Sequence, residues 1–315
     1  MFKQLIINPG STSTKVALFE DDEAVASKSL ALESGVLASF PNIFDQLAMR
    51  LEQVTAFLGE VGVEPAALHA VVGRGGVLPP SEGGVYEVDD EMIASLRATG
   101  GGHASSLGGV LAREVAAPLG IPAFIADPVT TDELDEVSRY TGLPEAPRVC
   151  IFHALNQKAV ARRAAHDMGS SYEEVNLVVV HLGGGISVGA HRRGRVVEVA
   201  NALSGEGTFS PERSGGLPVT GLVKLCFSGQ YTQAQVAKLI NGKGGLVAYL
   251  GTNSLIDVEA AVDAGDGHAR LCLEAMAYQV AKDVGRAACA MAGDVDAIGR
   301  RRVVHRSVVG HRLVI

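Results

Sequence analysis

Residues 178–197, VVVHLGGGISVGAHRRGRVV, restrict the fold more than any other stretch. They pack an apolar run, a three-glycine turn, a second apolar run, a tight turn and a third run into twenty positions. Runs this short read as strands rather than helices. Gly183, Gly184 and Gly185 let the backbone approach a ligand closely and take φ values closed to other residues. The pattern occurs twice. Residues 5–25, LIINPGSTSTKVALFEDDEAV, repeat it, and a shift of 173 positions lays Gly10 on Gly183, Ser11 on Gly184 and Thr12 on Gly185. The expected architecture is an internally duplicated α/β fold, two domains facing each other over one cleft.

Composition narrows the partners. The 315 residues are 47% hydrophobic with 38 glycines, as in a turn-rich globular α/β protein, and are enough for two domains. A formal charge of −8 argues against nucleic acid or an anionic membrane as the main partner, since both reward clustered Lys and Arg. Cys150, Cys226, Cys272 and Cys289 lie far apart without C-x-x-C spacing, so they read as buried thiols in a reducing compartment, with no zinc site and no disulfide framework. The N-terminus enters a strand directly, and no apolar run is long enough for a membrane helix, which places the chain in the cytoplasm.

Taken in order, the first hairpin holds Asn8, Gly10, Ser11, Thr12 and Ser13. G-S-T-S-T-K is not a P-loop, because the second glycine before the lysine is missing and a strand follows instead of a helix. The turn can donate N–H and hydroxyl bonds to phosphate oxygens, and on local sequence it is equally an ordinary polar hairpin turn. Residues 42–61 carry apolar positions at helical spacing, Ile43, Leu47, Leu51, Val54 and Leu58, and read as a packing helix. A strand over 68–72 delivers Gly73-Arg74-Gly75-Gly76, where Arg74 suits a clamp on carboxylate or phosphate, or is a solvated loop residue.

Helices are expected over 92–98 and 105–119, with His103 near the start of the second. The strand 123–126 ends in Asp127, at the end of a strand where α/β proteins place functional groups, with helix capping by Asp127 or Asp132 as the alternative. His153 precedes a helix over 154–168, and His181 leads the glycine hairpin. The aperiodic stretch 201–218 is long enough to be functional and holds Arg213 on a glycine-rich support. One arginine from each half, Arg74 and Arg213, could close on a single anion. Helices over 221–227, 233–240, 255–264 and 269–291 complete the chain, Lys243 reads as a turn residue, and His69, His166, His191 and His268 read as surface residues.

These features point to phosphoryl transfer, where positioning and charge neutralisation do most of the work. Eight ordered motifs then carry a specific resemblance: NPGSTSTK (8–15), GRGG (73–76), GHASSLG (102–108), Asp127-Pro128, IFHALNQK (151–158), HLGGGISV (181–188), PERSGGLP (211–218) and GGLVAYLGTN (244–253). Together they resemble the butyrate kinases, within the acetokinase family and the actin and sugar-kinase superfamily, over residues 1 to about 298. The resemblance implies two ribonuclease-H-like, actin-like ATPase domains, 1–150 and 151–298, the second incomplete, and a homo-oligomer. It implies ATP and Mg²⁺ as cofactors and butyrate, or a related branched-chain acid or acetate, as phosphoryl acceptor.

Residue by residue, it implies nucleotide contacts from Asn8, Gly10, Ser11, Thr12, Ser13, His181, Gly183, Gly184 and Gly185. Catalytic roles fall to Arg74, Asp127, His153 and Arg213, a substrate or phosphate contact to His103, and metal contacts to Asn8 and Asp127. A sugar or glycerol kinase of the same superfamily would instead need a general base, for which Asp127 is the candidate.

The chain departs from the family at its end. Residues 299–315, GRRRVVHRSVVGHRLVI, hold five arginines and no acid, leaving a formal −13 on residues 1–298. The expectation is an aberrant basic tail where the family has further strands, an adenosine loop and a closing helix, and with it impaired or absent catalysis. Gly102 also stands where the family usually has glutamate.

Overall fold

In the computed structural model, residues 1–32, 34–37, 40–98 and 104–302 are described. His103 and most of the basic tail lie outside them. The chain divides into two units, residues 1–131 and 132–315.

The first unit opens with a meander, β1 (Lys3–Pro9), β2 (Ser13–Glu20) and β3 (Glu23–Ala31). There follow α1 (Ser34–Leu37), α2 (Leu47–Glu60), β4 (Ala70–Arg74), β5 (Val85–Glu87), α3 (Asp90–Ala98), α4 (Leu107–Ala116) and β6 (Ala123–Ala126). The sheet order is β3-β2-β1-β4-β6-β5. β1 is antiparallel to β2 and parallel to β4, which is parallel to β6. Strand alternation builds the core: Leu5 and Ile7 of β1, with Val16 and Leu18 of β2, are buried together with Val54, Phe57 and Leu58 of α2 and Leu107 and Leu111 of α4. Each such side chain contributes about 1.5–3 kcal/mol by leaving water. α4 lies so close to β4 that a Cβ on Gly73 would fall on the Gly108 carbonyl, and one on Gly108 on the Arg74 carbonyl. The glycine before Arg74 therefore serves helix packing.

The second unit contains α5 (Ala154–Asp167), β7 (Asn176–Leu182), β8 (Ile186–Arg192) and β9 (Arg195–Val199). Then come α6 (Val219–Cys226), α7 (Gln233–Ile240), α8 (Leu246–Leu250), α9 (Leu255–Asp263), α10 (Gly267–Ala290) and β10 (Ala297–Arg302). The sheet order is β10-β7-β8-β9. β7 alternates between two cores: Val178 and Val180 pack with Leu273, Met276 and Val280 of α10, while Leu177 and Val179 pack with Ala161 and Ala165 of α5. No helix among the described residues is long and apolar enough to cross a membrane.

The duplication holds at the level of strands. Shifting β1 by 173 positions superposes its limits on those of β7, and the parallel neighbour of β1, β4, has its counterpart in β10 beside β7. Two boundaries differ from the sequence reading. Residues 132–150, expected in the first domain, belong to the second unit, tied there by bidentate pairing of Arg148 with Glu198 and by Lys158 with buried Glu133. The strand β10 runs through Arg302, past the expected start of the tail, because its parallel ladder to β7 is made by backbone groups and does not require apolar side chains.

Candidate active site

In the first unit, Asn8, Arg74 and Asp127 stand at the C-terminal ends of three adjacent parallel strands. The register pairs Ile7 with Gly73, and Arg74 with Ala126, so the three residues follow one another along a single sheet edge. Arg74 is half-buried, and Nη1 donates to Asn8 Oδ1 at 3.4 Å. No carboxylate pairs with it among the described residues, and burial holds its pKa below the usual arginine value. A guanidinium desolvated without a counter-ion is a site prepared for an anion. Asp127 is buried and takes a left-handed φ of 37°. Its Oδ1 accepts from the Gly84 N–H at 3.0 Å, while its own N–H donates to the Gly84 carbonyl at 2.9 Å. The carboxylate thus binds a loop N–H. Asp132 instead receives a bidentate bond from Arg139.

The hairpin turn at Gly10–Ser13 is fixed from behind by a residue within the packing helix. Arg50 of α2 is fully buried, without a carboxylate partner among the described residues. It donates to the Gly10 carbonyl at 2.9 Å, to Thr14 Oγ1 at 2.8 Å and to Gln46 Oε1 at 2.8 and 3.1 Å. Burial lowers its pKa. The signal was present in the spacing, since position 50 falls on the same helical stripe as Leu47, Leu51 and Val54. Ser11 and Thr12 at the tip are exposed.

In the second unit, the glycine hairpin is shaped by Arg213. A Cβ on Gly185 would fall on Arg213 Nη1, so only glycine admits the guanidinium there. Nη1 donates to the Ala202 carbonyl at 2.9 Å and Nε to Asn241 Oδ1 at 3.2 Å. Arg213 too is half-buried without an ion pair among the described residues; burial lowers its pKa, opposed by the Glu212 charge. The aperiodic loop that carries it is pinned to α10, with the Thr208 N–H on Asp283 Oδ2 at 2.8 Å and the Phe209 N–H on Gln279 Oε1 at 3.2 Å. Ser210 Oγ closes on the Gly184 carbonyl at 2.6 Å.

His153, at the start of α5, stacks on His181, with ring centroids 3.8 Å apart and planes 10° from parallel. His153 Nδ1 lies 2.8 Å from Ser187 Oγ, and His181 Nδ1 lies 2.9 Å from Asn156 Oδ1. His191, read from its polar neighbours as a surface residue, is fully buried, because both faces of β8 are covered. Desolvation, then the charges of Lys158 and Arg162, push its pKa down to about 3. Two cysteines also correct their reading: Cys226 and Cys289 are exposed, on the outward surfaces of α6 and α10, while Cys150 and Cys272 are buried.

No group of three or more His, Cys, Asp or Glu among the described residues could hold a metal ion. Asn8 and Asp127 offer hard oxygen donors at one sheet edge. That sparse oxygen set fits Mg²⁺, which keeps most of its shell as phosphate oxygen and water.

The sequence pattern of the acetokinase family matches residues 147–300. Butyrate kinase 2 of Clostridium acetobutylicum is 50% identical over 298 residues, covering 94% of this chain and 84% of that protein. Butyrate kinase 1 of the same organism is 51% identical over 302 residues, with 95% and 84% covered. Among solved structures, an acetate kinase from Porphyromonas gingivalis superposes with a TM-score of 0.78 at 23% identity, covering 95% of this chain and 82% of that one. A propionate kinase from Francisella tularensis gives 0.73 at 20% identity, with 95% and 83% covered. These likenesses establish the actin-like ATPase fold with duplicated ribonuclease-H-like sheets. With sequence identity near one half sustained along most of its length, the chain belongs to the acetokinase family.

Proposed function

We propose that butyrate is the acceptor of this ATP-dependent carboxylate kinase, and that Arg74 and Arg213 carry the charge of the transferred group. A butyrate oxygen attacks the γ-phosphorus of ATP, the bond from that phosphorus to the bridging oxygen breaks, and butyryl phosphate and ADP result. An aliphatic carboxylate is ionised at neutral pH, its unperturbed pKa being about 4. No general base is then required, and Asp127 needs no such role. The observation that supports this reading most directly is the pair of half-buried guanidiniums, each without a carboxylate partner among the described residues.

In this reading the turns at Asn8, Gly10, Ser11, Thr12, Ser13 and at His181, Gly183, Gly184, Gly185 receive the nucleotide phosphates. Arg74 and Arg213 neutralise oxygens of the travelling phosphoryl group, and His153 donates a hydrogen bond to it. Asn8 and Asp127 hold Mg²⁺, which when bound neutralises charge across the nucleotide oxygens. His103 contacts substrate or phosphate.

The butyrate specificity is drawn from the relatives that the chain resembles at about half identity, both butyrate kinases. An apolar pocket separates neighbouring acids by only ~1–3 kcal/mol per methylene, so the expected profile is graded. Trapping acyl phosphate as hydroxamate, with Mg-ATP and acetate, butyrate or isobutyrate, should give the highest kcat/KM with butyrate. ADP release with glycerol and none with butyrate would replace this reading with a hydroxyl kinase.

A further inference from the structure

A buried series of hydrogen bonds leads into His153 along the face of β8 that carries Ser187 and His191, and its donors and acceptors can be assigned by elimination. Gln157 supplies the starting point. Its Nε2 lies 3.1 Å from the Ser187 backbone carbonyl, which only accepts, so the amide nitrogen must face Ser187 and Oε1 must face the other way. There Oε1 meets His191 Nε2 at 2.9 Å. The ring of His191 is buried and neutral, so its single proton sits on Nε2, and Nδ1 accepts from the Tyr172 hydroxyl at 2.7 Å.

The second Gln157 hydrogen reaches Ser187 Oγ at 2.8 Å. The Ser187 side chain is buried, and its own hydroxyl hydrogen needs an acceptor. His153 Nδ1, at 2.8 Å, is the remaining partner. A proton on His153 Nδ1 would either oppose that hydroxyl hydrogen or leave it without an acceptor. β8 makes room for this arrangement, since a Cβ on Gly189 would fall on Gln157 Oε1.

We infer that this one-way relay, Tyr172 to His191 to Gln157 to Ser187 to His153, keeps the His153 proton on Nε2 and presents that N–H as the donor to the phosphoryl group. Ser187 and Gln157 are thereby positioning residues, acting through His153. The catalytic half of the statement rests on the role proposed above for His153; the tautomer does not. No proton is transferred along the relay during turnover. Its work is to choose one neutral form in advance, so the imidazole spends none of its bound time in the form that offers a lone pair to an anionic oxygen.

The test is a long-range ¹H–¹⁵N spectrum of the full chain labelled at histidine, above pH 7.5, with His153 signals assigned by their loss in His153→Asn. The expected result is a pyridine-like Nδ1 and a pyrrole-like Nε2. In Ser187→Ala the two nitrogens should average towards a mixture, and kcat for butyrate should fall about tenfold while both KM values stay within twofold. Ser187→Thr, which keeps the hydroxyl, should recover most of the kcat and the Nε2–H form. A proton on Nδ1 in the parent, or Ser187→Ala with parental spectrum and kcat, would overturn the inference. Parental kcat in His153→Asn would instead overturn the catalytic role, while the spectrum decides the tautomer separately.

Discussion

His191 is fully buried in β8, where its ring accepts from the Tyr172 hydroxyl at 2.7 Å and meets Gln157 Oε1 at 2.9 Å. Its sequence context, Ala-His-Arg-Arg-Gly-Arg, is that of a polar turn, but the turn begins only at Arg193, and the preceding strand is buried on both faces. With a folded-state pKa of about 3 against an unfolded value near 6.5, the unfolded chain binds the extra proton as pH falls. Stability contributed by the neutral ring is complete above about pH 6.5 and is lost progressively towards pH 3, at ~1.4 kcal/mol per pH unit. Replacing it with an uncharged amide in His191→Gln removes that slope. Urea unfolding at pH 7 and pH 5 should cost the parent about 2 kcal/mol more than the variant between the two conditions. Equal losses would show that His191 is not held neutral by the fold.

At the scale of elements, the strands and long helices were legible because their periodicity reports burial directly. The strand Ala123–Ala126 and the helix Gln233–Ile240 have the limits their patterns imply. The duplicated hairpins were legible for a different reason: the second repeats the first in its small turn residues as well as in its flanking strands. What spacing did not convey was how those turns are supported. Arg50, inside the apolar pattern of α2, ties the first turn from behind by donating to the Gly10 carbonyl and the Thr14 hydroxyl. Gly185 looked like a phosphate-binding glycine alone, whereas it also gives Arg213 its place.

Arg50→Met should therefore do two things at once. It should lower stability by about 2–3 kcal/mol, the cost of stranding buried acceptors that had bonded a charged group. It should also raise KM for ATP at least tenfold while leaving KM for butyrate nearly unchanged, because only the turn proposed to receive the nucleotide loses its backing. An ATP KM equal to the parent's in a folded Arg50→Met protein would reduce Arg50 to a core residue.

For the whole molecule, one construction is used twice. β1-β2-β3 with β4 in the first unit recurs as β7-β8-β9 with β10 in the second, each presenting a hairpin turn and each supplying an arginine that has no carboxylate partner among the described residues. The arginines come from different supports. Arg74 ends a strand pressed against a helix through Gly73 and Gly108, while Arg213 sits on a loop pinned to α10. That difference was not readable from sequence, because both arginines lie in glycine-containing turns, Gly73-Arg74-Gly75 and Arg213-Ser214-Gly215, and the supporting contacts are distant along the chain. The chain spans 84% of the length of the two butyrate kinases compared with it.

The most direct test of the account is steady-state acyl phosphate formation by Arg74→Ala and Arg213→Ala, each checked for parental circular dichroism. Each should lower kcat by a factor of about 10²–10³, the scale of losing one preorganised donor to developing charge. Turnover within tenfold of the parent in either folded variant would contradict the assignment of that arginine to the phosphoryl group.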